Sequence, residues 1–292
     1  METRVLEGKP LAAAIREDVA SRASALRESG HAVSLAVVLV GDDAASRIYS
    51  ESICKGAAKL GIEARPVELT TGDGADHVAR SIRALSDDPE TSAIIVQRPL
   101  PRDVPASVVE EVSPEKDVDG ATVRNMGLLF SGRDAFAPAT ALAVIETLAR
   151  SEIPVSGRHV VIAGRSTVVG RPLAALLLRK SDRANATVTV CHTGTPDLSV
   201  HTRAADIVVA AVGSPEAITG EMVREGAVVI DVGVNRVEEP GSEKGYRIVG
   251  DVAFDDMLGR AAAVTPVPGG VGRLTTAILL RSAVEAAERA SR

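Results

Sequence analysis

The sequence predicts an α/β protein built of two α/β domains, and three observations carry that prediction. Four β-rich apolar runs, 160–163, 187–191, 207–213 and 227–233, are separated by segments long enough for helices. The first run ends in Gly164, a polar turn follows, and Gly170 opens an apolar, alanine-rich helix. The N-terminal half shows the same strand and helix alternation over 34–96. Together these read as α/β units, the C-terminal one a Rossmann-like, doubly wound parallel sheet.

Residues 11–29 carry apolar positions at helical spacing and stop at Gly30, which predicts an amphipathic helix. A strand over 34–40 runs into the turn Gly41-Asp42-Asp43-Ala44-Ala45-Ser46. A helix from about 46 to 60 stops at Gly61, and a second β-α-β unit covers 62–96. Its last strand, Ala93-Ile94-Ile95-Val96, leaves through Gln97-Arg98-Pro99-Leu100-Pro101, where the prolines enforce a rigid, non-helical exit. Residues 113–120 form a charged turn ending in Asp119-Gly120, and 139–150 a long connecting helix. Residues 241–245 read as a polar insertion in a hairpin-like loop. Residues 264–273 form a loop, rigid at its prolines and flexible at its glycines, that opens the last helix, 274–289. The expected division is 1–146 plus 273–292 for one domain and 147–272 for the other.

With 292 residues the chain can bury two cores of ordinary size. Its net charge of −6 argues against a nucleic-acid or anionic-membrane partner. With no Trp, two Tyr and three Phe, the cores must be aliphatic and stacking platforms are scarce. Cys54 and Cys191 read as free thiols of a reducing compartment, no zinc spacing exists, and the expectation is no metal. The charged start lacks an apolar leader core and no run approaches a membrane span, so a cytoplasmic protein is expected.

The turn between Gly164 and Gly170 has five intervening residues and is not the G-x-G-x-x-G fingerprint, but its strand–turn–helix context points to a phosphate-binding loop. The strand 187–191 runs out into Cys191-His192-Thr193-Gly194-Thr195. No acid stands there to hold the ribose 2′-hydroxyl that marks an NAD site. Arg165, His192 and Thr193 instead offer donors to a 2′-phosphate, so NADP is the expected cofactor. The alternatives at these positions are a solvated loop cation and a satisfied strand-end histidine.

With these pieces placed, the chain resembles the methylenetetrahydrofolate dehydrogenase/cyclohydrolase family along nearly its whole length. The resemblance is carried by Gly41-Asp42…Ser46…Tyr49, Val96-Gln97…Pro99-Leu100-Pro101, Lys116-Asp117-Val118-Asp119-Gly120, Gly164-Arg165-Ser166…Val169-Gly170-Arg171-Pro172 and Thr265-Pro266-Val267-Pro268-Gly269-Gly270-Val271-Gly272. It implies oxidation of 5,10-methylenetetrahydrofolate by NADP, a folate cleft between the two domains, and a homodimer formed through the C-terminal domain. It places Tyr49, Gln97 and Asp119 in the folate pocket as catalytic and substrate-binding residues, with Pro268, Gly269 and Gly270 lining the same cleft. It assigns Gly164, Arg165, Ser166, Gly170, His192, Thr193 and the backbone of Ile230 to the cofactor. Read from the residues alone, Tyr49 could be a half-buried packing ring, Asp119 a turn residue and Gln97 a cap on the prolines.

Four departures stand out. The family carries a lysine four residues after the tyrosine, on the same helix face, and this chain has Ile53. Lys55 lies about 120° round the helix from Tyr49 and does not replace it. Arg98 and Arg273 stand where the family usually has an apolar residue and a proline. The stretch 138–143 lacks a cysteine, a second proline and a glycine common there. Hydride transfer can proceed without the lysine, whereas hydrolysis of the methenyl product needs general acid–base work. The expectation is therefore a dehydrogenase with weak or lost cyclohydrolase activity. The alternatives are a relative acting on a modified one-carbon carrier and a non-catalytic folate- or NADP-binding protein.

Overall fold

The computed structural model describes residues 2–70, 72, 74–241 and 245–291. In chain order the elements are β1 (Arg4–Val5), α1 (Gly8–Glu28), β2 (Ser34–Val40), α2 (Ala44–Ala58), β3 (Glu63–Leu69), α3 (Ala75–Asp87), β4 (Ala93–Val96), α4 (Val123–Phe130) and α5 (Ala139–Arg150). There follow β5 (His159–Ala163), α6 (Gly170–Leu177), β6 (Thr187–Cys191), α7 (Leu198–Ala204), β7 (Ile207–Ala210) and β8 (Val228–Asp231). The chain ends with β9 (Asn235–Glu238), β10 (Tyr246–Val249), α8 (Phe254–Met257), β11 (Ala263–Val264) and α9 (Thr275–Ala290). It divides into two compact units, Met1–Ala12 with Thr140–Thr275 and Ala13–Ala139 with Thr276–Arg292.

In the unit containing residues 13–139, three parallel strands run in the order β3-β2-β4. The middle strand is buried along nearly its whole length, as an apolar run covered on both faces must be. Ala36, Val38, Ile82, Ile94, Val96 and Val108 form the cluster beneath α3, each buried Val or Ile contributing about 1.5–3 kcal/mol. Asp43 caps α2 by accepting the Ser46 N–H at 2.7 Å. The buried stripe of α2 is Ser46, Ser50, Ile53 and Ala57.

The other unit holds six strands, all parallel, in the order β1-β11-β8-β7-β5-β6. From β5 the chain passes first to β6 on one side and later to β7 on the other, so the strand order reverses at β5. The antiparallel pair β9 and β10 forms the expected hairpin; residues 242–244 of its polar insertion lie outside the described residues. The first twelve residues belong to this unit and not, as the sequence suggested, to the one holding residues 13–139. The reason is that Arg4 and Val5 pair with Ala263 and Val264. Two-residue strands give no period from which such a pairing could be read. No helix among the described residues is long and apolar enough to cross a membrane.

Candidate functional sites

The reversal of strand order places a groove at the carboxyl ends of β5, β6 and β7. Ala163, Gly164, Arg165 and Ser166 line it from β5, Cys191, His192, Thr193 and Thr195 from β6, and Ala211 and Val212 from β7. The groove encloses about 440 Å³, and a ligand crevice is expected at such a point. Its floor is made by close backbone approach. A Cβ on Gly164, whose φ is +136°, would overlap the carbonyl of Ala211, and one on Gly170 would overlap the carbonyl of Gly164. Gly170 therefore packs the first turn of α6 against the loop and does not itself line the groove. Ser166 Oγ accepts the Val169 N–H at 3.1 Å and shapes the turn into α6.

The turn after β6 is closed on itself. Thr195 Oγ1 accepts the His192 N–H at 3.0 Å, and the Thr195 N–H donates to the His192 carbonyl at 2.7 Å. The Gly194 N–H donates to His192 Nδ1 at 3.0 Å, so a neutral ring carries its proton on Nε2. Burial holds the Cys191 thiol above its usual range. No carboxylate is among the described residues that line the groove. A glycine-built cradle with Arg165, Ser166, His192 and Thr193 around it fits a phosphorylated nucleotide. Ile230 is not on this wall: it is a fully buried residue of β8, paired with Val209 of β7.

The second site lies in the other unit. Ile94 of β4 forms a parallel bridge with Asp117, its N–H donating to the Lys116 carbonyl at 2.7 Å. Running onward in parallel, the two segments bring Gln97 and Asp119 out at the same end. Ser46 Oγ donates to the Arg98 carbonyl at 3.2 Å, which ties α2 to this exit, with Tyr49 one turn further on. Tyr49 is 39 % exposed and is no core ring. Gly120, at φ +58°, lets the turn press against the backbone of Phe136 and Ala137.

The two acids of the turn are held differently. Asp117 is buried and accepts the N–H groups of Ala121 at 3.0 Å and Thr122 at 2.9 Å, and Asn125 Nδ2 at 2.9 Å. Desolvation, and then the charge of Asp117, push the Asp119 carboxyl up to about 7; the Arg98 guanidinium and the Ala139 N–H oppose the rise. Two buried polar atoms here have no hydrogen-bond partner, Gln97 Nε2 and Ser50 Oγ. A buried amide without a partner is costly, which marks Gln97 Nε2 as a candidate donor to a ligand. Arg273 and the loop Pro268, Gly269 and Gly270 belong to the unit of the nucleotide groove. Among the described residues no group of three or more His, Cys, Asp or Glu could hold a metal.

Comparison with known families decides the identity. Residues 6–119 match the catalytic domain, and 138–291 the NAD(P)-binding domain, of tetrahydrofolate dehydrogenase/cyclohydrolase. The chain belongs to this family. A bifunctional FolD protein from Nocardia farcinica is 49 % identical over 290 residues, covering 99 % of each chain. The FolD dehydrogenase/cyclohydrolase from Campylobacter jejuni has a TM-score of 0.92 at 39 % identity, covering 98 % of this chain and 99 % of that one. The Trypanosoma brucei FolD structure, complexed with NADP cofactor and inhibitor, gives a TM-score of 0.91 at 36 % identity, covering 100 % and 99 %. The NAD(P)-binding domain of this tetrahydrofolate dehydrogenase/cyclohydrolase family member is thus the unit that carries the groove. Sequence reasoning missed Ser50, Asp231 and Asp251, whose partners are set by the fold and leave no local pattern.

Proposed function

We propose that the protein oxidises 5,10-methylenetetrahydrofolate to 5,10-methenyltetrahydrofolate with NADP, and that its cyclohydrolase step is weak or lost. In keeping with the family resemblance, it would work as a cytoplasmic homodimer formed through the NAD(P)-binding unit. The observation that carries the cofactor choice is the donor set of the groove: Arg165, Ser166, His192 and Thr193, with no acid on the wall. Arg165 would supply the fork for a 2′-phosphate, and His192 and Thr193 further donors.

Bound NADP supplies the hydride acceptor. The chain's own part in that step is orientation and electrostatics, since no proton need pass through a side chain. Asp119 offers two acceptor oxygens to the paired N–H donors of a pterin edge, and Gln97 Nε2 gains the partner it lacks. Half-exposed Tyr49 is the proposed third residue of that site, and Pro268, Gly269 and Gly270 are proposed further substrate contacts. Hydrolysis asks for more. A water must lose a proton and a ring nitrogen must gain one, work worth about 10²–10⁴-fold when a side chain performs it. At position 53, where the family resemblance leads one to expect an amine, the side chain is a fully buried isoleucine.

Separate assays of the two half-reactions test the reading. Methenyltetrahydrofolate absorbance should appear with NADP and far less with NAD, while added methenyltetrahydrofolate should decay near its uncatalysed rate. Hydrolysis at the rate usual for the family would overturn the second half of the proposal. Arg98, near enough to Asp119 to act on its charge, favours a second reading, a relative whose substrate carries an added anionic group. Absence of turnover with methylenetetrahydrofolate, despite NADP binding, would favour it.

A further inference from the structure

We infer that Asp251 is a positioning residue for the nucleotide groove, fixing the wall that follows β7 before any ligand arrives. The inference rests on the reading of that groove as the NADP site. Ala211 and Val212 form this wall, and three consecutive N–H groups, that of Val212 itself and those of the two residues after it, donate to one buried carboxylate. Val212 and Gly213 donate to Asp251 Oδ2 at 2.6 and 2.9 Å, and Ser214 to Oδ1 at 3.1 Å. Asn235 Nδ2, at the start of β9, completes the set on Oδ1 at 2.8 Å. Asp251 is fully buried and neither it nor Asp231 lines the groove.

Asp251 is itself placed by a second carboxylate. Asp231, the last residue of β8, accepts the N–H groups of Gly233 at 2.9 Å and Asp251 at 3.0 Å on one oxygen and that of Val252 at 2.9 Å on the other. Gly250 is required for this approach, because a Cβ there would overlap the Asp231 carboxylate. The Glu216 and Ile218 N–H groups then pair with the Gly250 and Asp251 carbonyls at 3.0 and 2.9 Å. The order of support is thus sheet, Asp231, the 250–252 backbone, Asp251, the 212–214 loop, groove wall. Only an acceptor-only side chain suits the last link. An amide at position 251 would turn N–H groups toward backbone N–H groups and leave donors buried without partners.

The test compares Asp251→Asn with Thr3→Val, which removes partly buried hydrogen bonds to the Met257 and Ala261 carbonyls in the same unit, at residues that do not line the groove. Asp251→Asn should raise the Kd and KM for NADP by about tenfold or more while kcat stays within about threefold. Thr3→Val should lower the melting temperature and leave both constants unchanged. Equal loosening of NADP by both variants, or unchanged NADP affinity in a folded Asp251→Asn protein, would overturn the inference. Hydrogen exchange on the unaltered protein without nucleotide supplies a check that needs no variant. The amides of Val212, Gly213 and Ser214 should already be protected, and fast exchange slowed only by NADP would refute a preset wall. Failure of the unaltered protein to bind NADP would sink the functional reading instead, and leave the exchange result to decide on Asp251.

Discussion

Asp117 and Asp119 stand two residues apart in one turn and have opposite surroundings. Three donors converge on Asp117, whereas Asp119 is crowded by protein, faces the charge of its neighbour and is raised to about 7. The first acid builds the turn, and the second is the one proposed to meet the ligand. The sign of the pKa shift makes this division testable.

Binding a pterin edge through its N–H donors requires ionised Asp119, so the carboxyl must fall from about 7 toward the ordinary range of 3.8 in the complex. Below neutral pH, folate binding should therefore release a proton, and affinity should fall as the pH drops below about 7. Without folate the sign reverses for folding. Between about 4 and 7 the unfolded chain is ionised at this position while the folded one keeps its proton, so its share of stability declines as pH rises through that window. Calorimetry in buffers of different ionisation enthalpy measures the release. Asp119→Asn should abolish it and weaken folate binding by about 10- to 100-fold. A pH-independent affinity in the unaltered protein would refute the assignment.

Asp117→Ala should act on the fold. It leaves the N–H groups of Ala121 and Thr122 and the amide of Asn125 without their acceptor, a loss of about 2–4 kcal/mol. The urea midpoint of the unit holding residues 13–139 should drop accordingly. NADP affinity should hold within about twofold, because Asp117 and the groove belong to different units.

Arg165→Ala should separate the two nicotinamide cofactors. Loss of a charge-assisted contact to the 2′-phosphate is worth about 1.5–3 kcal/mol, or roughly 10- to 150-fold in the KM for NADP. The KM for NAD, which has no phosphate there, should change by less than about threefold. Steady-state kinetics with both cofactors decide it: no change in either would return Arg165 to the status of a solvated loop cation, and an equal rise in both would move its contact to a group that the two cofactors share.

Much of this was legible because strands buried on both faces write continuous apolar runs. β2 was read at its true bounds, 34–40, and the groove followed from Gly164, Gly170 and the runs around them. The family resemblance supplied Tyr49, Gln97 and Asp119, and the bridge of Ile94 with Asp117 explains why the last two emerge together. What stayed hidden depends on long-range pairing. β1 and β11 are each two residues long, Ile230 is hidden in the sheet by its neighbours, and Asp251 gains its meaning only from N–H groups some forty residues earlier. Gly120 shows a middle case: its turn was evident, but the contact with residues 136–137 that demands glycine was not.

Ile53→Lys tests the proposal most directly. Position 53 completes the buried stripe of α2 and is adjacent to Tyr49 on the helix face, four residues on. A lysine stem can cover the same apolar surface as isoleucine, but its amine must reach toward the open side beside the Tyr49 ring. Partial burial would lower the pKa of that amine and make it a better base near neutral pH. The expected cost is about 1–3 kcal/mol of stability, with dehydrogenase kcat within about threefold. Hydrolysis of methenyltetrahydrofolate should rise by about 10- to 100-fold, with a new ionisation in its pH profile. Ile53→Met, neutral and of similar volume, should show no gain. If the lysine variant folds, binds folate and still fails to hydrolyse, the rest of the pocket is not built for that reaction, and the missing amine is not its cause.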